Sequence, residues 1–103
     1  MELKEFFIKL KATKAAGFQW YICYDGSIRA SEGKLGHYCP ITAVYKLCEK
    51  KYLDPGKYEI AGEALGLTSQ DIADIVYGAD RRVNSKFRQK LQKLLGLEGS
   101  EAT

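Results

Sequence analysis

Phe18-Gln19-Trp20-Tyr21-Ile22-Cys23-Tyr24, followed at once by Asp25-Gly26, is the stretch that separates this chain from an all-helical one. Aromatic and β-branched side chains fit a pleated, half-buried surface. Asp-Gly supplies the positive φ angles that a tight hairpin turn demands. The reading is therefore a β-hairpin whose return strand spans residues 27–31. Its register has two solutions: a two-residue loop sets Ile28 beside Cys23, whereas a three-residue loop sets it beside Tyr24, on the face of Trp20 and Ile22.

Upstream of the hairpin, Leu3, Phe6, Phe7 and Leu10 recur at the spacing of one helical stripe, with Glu2, Lys4, Glu5, Lys9 and Lys11 at other positions. A helix over residues 2–15 follows, ended by Gly17. Downstream, residues 31–38 hold two glycines and no periodicity, and read as a surface loop or irregular crossing. Cys39-Pro40 then opens a helix, because proline fits the first turn where its missing N–H is not needed. Its apolar face is Ile41, Val44, Tyr45, Cys48 and Tyr52, and Asp54-Pro55-Gly56 stops it.

Three more helices complete the pattern. One covers residues 57–65 and ends at Gly66. The next is capped by Thr68, with Asp71 three residues on, and buries Ile72, Ile75, Val76 and Ala79. The last is capped by Asn84 or Ser85, turns Phe87, Leu91, Leu94 and Leu95 inward, and closes at Gly96-Leu97. The fold class is α+β: an N-terminal helix, one β-hairpin, then about four short helices that include a helix-turn-helix-like pair. Residues 1–97 form a single globular domain, and residues 98–103 a flexible tail.

The 46% hydrophobic and 28% charged content of the 103 residues is that of a folded globule rather than a disordered chain. The N-terminal residues alternate charge with apolarity, unlike a signal peptide, and no apolar run approaches the roughly 20 residues of a membrane span. A cytoplasmic protein with no membrane partner is expected. Three cysteines, Cys23, Cys39 and Cys48, leave one over in any disulfide scheme, so reduced thiols are the simpler state.

Charge is segregated. Residues 1–53 carry +4, residues 54–80 carry −5, residues 81–97 carry +6 and the tail −2, which together give the net +3. Arg81, Arg82, Lys86, Arg88, Lys90 and Lys93 have no acidic residue among them. Lys86, Lys90 and Lys93 share one helical face. This segment suits nucleic acid or an acidic host protein; equally, it is a solvated helix face, or one that docks on the acidic stretch, within the fold or in a self-associated form.

Other constellations compete. Residues 61–75 have helix-turn-helix spacing, but the second helix presents Ser69, Gln70, Asp71 and Asp74, with no cation for phosphate or guanine. Trp20, Tyr21, Tyr24 and Tyr38 would make a stacking platform for single strands, and whichever of Tyr21 and Tyr24 is exposed is the residue of interest. His37 with Cys39, Cys23 and Cys48 are the soft metal ligands, at spacings unlike known zinc sites. Cys39 at a helix start beside His37 is how a nucleophile would begin, though no orienting acid accompanies it. Cys23 and Cys48 are otherwise expected as small core hydrophobes. No cofactor is expected.

Ile28-Arg29-Ala30, Cys39-Pro40-Ile41-Thr42-Ala43-Val44, Ala64-Leu65-Gly66-Leu67, residues 72–80 and Leu94-Leu95-Gly96-Leu97 together resemble a pattern in small phage and prophage proteins, over about 70 residues. No activity attaches to that pattern. The resemblance implies an accessory phage protein, a class that includes binders of host factors. The expected function is a non-enzymatic binding protein acting on a host protein or nucleic acid through its basic C-terminal face. The alternatives are an enzyme or metal domain at Cys39 and His37, and a helix-turn-helix regulator.

Overall fold

The computed structural model describes residues 1–80 and 83–98. Helix α1 (Leu3–Ala15) leads into strands β1 (Phe18–Ile22), β2 (Ile28–Glu32) and β3 (Leu35–Tyr38). Helix α2 (Pro40–Glu49), a 3-10 turn (Pro55–Lys57), α3 (Tyr58–Ala64), α4 (Ser69–Asp80) and α5 (Lys86–Leu94) follow. The expected α+β class and element order hold, with one addition: the sheet has three antiparallel strands in the order β1-β2-β3.

The extra strand corrects the reading of residues 31–38 as irregular. Gly33, at φ 62°, is the first of two residues that turn Glu32 back onto Leu35, a position where only glycine is unstrained. A register shift between Ala30 and Glu32 then breaks the alternation. Backbone pairing makes this strand, so side-chain periodicity does not announce it.

In the hairpin, the loop is three residues long, but it is Tyr24, Asp25 and Gly26 that occupy it. Cys23 N–H donates to Ser27 O at 2.8 Å and Gly26 N–H to Cys23 O at 2.8 Å. Ile28 therefore lies opposite Ile22, beside neither Cys23 nor Tyr24, yet on the Trp20 and Ile22 face. Asp25 selects this turn: its carboxylate accepts the Ser27 N–H at 3.0 Å and the Ser27 hydroxyl at 2.7 Å. Those two bonds hold its carboxyl below the usual range. Gly26, at φ 93°, takes the left-handed position.

Helix α2 is the hub, packed by α1, α3, α4, β2 and β3. Cys39 caps it through a capping box: Cys39 N–H donates to Thr42 Oγ1 at 2.9 Å, and Thr42 N–H to Cys39 Sγ at 3.4 Å. Ile41, Thr42, Ala43 and Val44 are all buried. The far end departs from expectation. Lys50 adopts a left-handed φ of 61° and stops the helix before Asp54-Pro55-Gly56, which leaves Tyr52 outside the helix and exposed; Cys48, within the last turn of α2, is exposed as well rather than core. Cys39 is the buried thiol, and Cys23 is half-buried.

One core cluster joins Phe6, Phe7, Leu10, Ile28, Ile41, Val44, Ile75 and Leu91, among others; a second holds Phe18, Ala30, Tyr38 and Ala43. Trp20 packs against both. Its indole N–H donates to Thr13 Oγ1 at 2.9 Å, and Thr13, fully buried, donates in turn to Leu10 O at 2.6 Å. Thr13→Val keeps the shape but leaves the indole without its acceptor. It should cost about 1–2 kcal/mol, read from urea unfolding followed by the emission of Trp20, the single tryptophan.

The helix stops follow the glycines. At Gly66 (φ 80°), Leu67 N–H reaches back to Gly62 O at 3.0 Å; at Gly96 (φ 71°), Leu97 N–H reaches Gln92 O at 2.7 Å. Both leucines are buried. Ser85, not Asn84, caps α5, accepting the Arg88 N–H at 3.0 Å. Among the described residues no helix is long and apolar enough to cross a membrane.

Candidate functional site

Arg81, Arg82 and residues 99–103 lie outside the described residues. The remaining basic side chains of the C-terminal segment divide. Lys86, Lys90 and Lys93 are exposed on α5. Arg88 is a correction: at 1% exposure it is no surface cation. Its guanidinium donates to Gly78 O at 3.2 Å and Ala79 O at 3.5 Å, two carbonyls in the last turn of α4, at the negative end of the helix dipole. Gly78 makes this close seating workable, since a Cβ there would stand 3.0 Å from the Arg88 amide nitrogen.

Packing of α1 beside α5 adds residues that the basic segment alone does not contain. Leu3, Phe7, Ile8 and Leu94 floor a groove of about 580 Å³, with Lys4, Lys11 and Lys90 around it. Lys90 Nζ sits 4.5 Å from the centroid of the Phe7 ring, a cation–π contact that holds the ammonium at the groove. Ile8 remains 60% exposed. The result is an apolar trough with a positive border. Lys86, Lys90 and Lys93 make no salt bridge with residues 54–80 among the described residues, so their charge is not spent inside the fold.

The acidic stretch builds a second groove, of about 520 Å³, between α3 and α4, lined by Ile72, Val76 and Tyr77 with Glu59, Glu63 and Asp80. Asp80 is engaged with Arg29 of β2 at 3.2 Å. Tyr77 is 52% exposed. At the helix-turn-helix-like crossing, Gly62 meets Ile72 so closely that a Cβ would lie 2.6 Å from its Cδ1. On the exposed start of α4, the Gln70 amide donates to Asp74 Oδ1 at 2.9 Å, which ties the side chain nearest to a base-reading position to a carboxylate.

The aromatic residues of the sheet do not assemble into one platform. Trp20 turns to Thr13, Tyr38 is buried, and Tyr24 stands 97% exposed at the hairpin tip. Tyr21 is half-buried, its hydroxyl 3.1 Å from His37 Nδ1. Burial first, then the negative Glu32 at 3.2 Å, pushes the Tyr38 phenol up to about 12. A phenol raised in the fold stabilises it fully below the ordinary value of 10, and that contribution is lost as pH climbs from 10 to about 12. An ultraviolet phenolate titration should therefore show a late step near pH 12 that Tyr38→Phe removes; a full titration complete near pH 10 would contradict it.

Cys39 and His37 point different ways. His37 is exposed and bound to Tyr21, whereas the Cys39 thiol is buried against Thr42. Desolvation pushes that thiol up, and the Thr42 hydrogen bonds and helix start only partly offset it. Burial thus works against the thiolate that a helix N-terminus would favour. No group of three or more metal-ligating side chains converges among the described residues.

Lys4, Lys11 and Ile8 are the site residues that the sequence reading passed over as the outer side of an amphipathic helix. A signal was present: Ile8 is a large apolar residue off the Leu3, Phe6, Phe7 and Leu10 stripe, with Lys4 four residues before it and Lys11 three after it on the same helical face. Compared with protein-family models, with curated proteins and with solved structures, the chain has no match.

Proposed function

We propose that the protein is a non-enzymatic binding domain whose α1/α5 groove takes an acidic, amphipathic segment of a partner protein. The observation that carries this reading is the combination in one groove of an apolar floor, with Ile8 60% exposed, and a border of Lys4, Lys11 and Lys90. Exposed apolar side chains next to a groove favour a partner with its own apolar surface. Nucleic acid offers phosphates and base faces, and would use exposed aromatic faces for stacking, whereas the aromatic ring lining this groove, Phe7, is 7% exposed and carries Lys90 over its face. A phage-type accessory protein acting on a host factor is the setting that the sequence resemblance implies.

The test uses a synthetic amphipathic helical peptide with glutamates on one face and leucines on the other. A scrambled peptide of the same composition and a single-stranded oligonucleotide of equal charge serve as comparisons. The amphipathic peptide should bind best, and Ile8→Glu or the Lys4→Glu/Lys90→Glu pair should weaken it by about tenfold or more. Tighter binding of the oligonucleotide, or indifference to Ile8→Glu, would overturn the reading.

A further inference from the structure

We infer that a second copy of this chain can supply that partner segment: the acidic α3/α4 groove of one molecule docks on the lysine-bordered α1/α5 groove of the next. This rests on the proposed function and names an occupant for the same groove. The two grooves are of similar size and opposite sign, with Lys4, Lys11 and Lys90 around one and Glu59 and Glu63 beside the other. None of these five side chains is engaged in a salt bridge with a described residue, so both charged borders are available to another molecule. Each groove also presents a projecting apolar side chain, Ile8 at 60% exposure and Tyr77 at 52%, that the other can cover. A tyrosine ring entering a lysine-bordered trough gains cation–π attraction beyond its area. No residue lines both grooves, so a molecule can use both at once. The contact joins unlike faces, and it closes into a two-fold pair or extends into a chain.

Charge swapping tests this directly by sedimentation velocity of the full chain at low ionic strength. Wild type should show a rise in sedimentation coefficient with concentration, suppressed by added salt because the charges are exposed. The triple variant Lys4→Glu/Lys11→Glu/Lys90→Glu and the double variant Glu59→Lys/Glu63→Lys should each associate roughly tenfold or more weakly alone, and an equal mixture of the two should associate again. Circular dichroism and Trp20 emission verify that both variants remain folded. A wild type that stays monomeric, a variant that assembles alone, or a mixture that fails to assemble would each overturn the inference. The acidic peptide separates the two readings. If it binds the α1/α5 groove while the chain does not self-associate, only this inference fails; if it does not bind, the proposed function fails as well.

Discussion

Arg88→Ala should destabilise the protein by about 3 kcal/mol, more than any other single change of a charged side chain considered above. The side chain is buried and donates to the Gly78 and Ala79 carbonyls. Its loss takes a charged donor away from two buried carbonyls of α4, removes a positive charge from the negative end of a helix, and opens a void between α4 and α5. Arg88→Lys should recover only part of this, because an ammonium on a shorter stem cannot reproduce the reach of the planar guanidinium. Urea unfolding measures both. A cost for Arg88→Ala below roughly 1 kcal/mol, the range of a surface substitution, would remove Arg88 from its structural role and return it to the surface.

Gly62→Val should cost about 2–3 kcal/mol by overpacking the α3/α4 crossing. The first added carbon already falls 2.6 Å from Ile72 Cδ1 and 2.7 Å from its Cγ1. Ile72 is itself buried, at 6% exposure, and both its Cδ1 and its Cγ1 would have to give way, toward the α3/α4 groove that it lines. Gly62→Ala should be milder, because alanine recovers about 1 kcal/mol of helix propensity against the same clash. The diagnostic is the pair Gly62→Val with Ile72→Ala. If the two side chains compete for one space, the double variant will be markedly more stable than the sum of the single effects predicts. Simple additivity would refute the clash. The same experiment bears on function, because Ile72 also lines the acidic groove.

Most of the helices were legible in the sequence because they rest on local chemistry. The stripe of Leu3, Phe6, Phe7 and Leu10, the Thr68 cap that receives the Asp71 N–H at 3.1 Å, and the stops at Gly66 and Gly96 all read directly. The third strand did not, since Gly33 and Gly36 give it no side-chain pattern and a bulge interrupts its pairing. The end of α2 was misplaced for a related reason. Lys50 has no propensity that announces a left-handed conformation, whereas Asp54-Pro55-Gly56 looks like a stop and lies five residues beyond the helix.

Around Trp20 and Asp25-Gly26 the sequence by itself determined that a hairpin exists and left the neighbour of Ile28 undecided. A local contact, the Asp25 carboxylate on Ser27, sets which residues fill the loop, and the tertiary packing of the helices on the sheet buries Ile28 in the core. The same division runs through the candidate site. Charge segregation between residues 54–80 and 81–97 is a property of the sequence alone. Which charges face outward is not. Arg88 and Lys90 lie two residues apart on one short helix, so a turn of about 200° separates them. One enters the α4 end while the other rides on Phe7. Only the packing of α5 against both α1 and α4 distinguishes a structural cation from a binding one, because the energy of a charge is set by what surrounds it and not by its place in the chain.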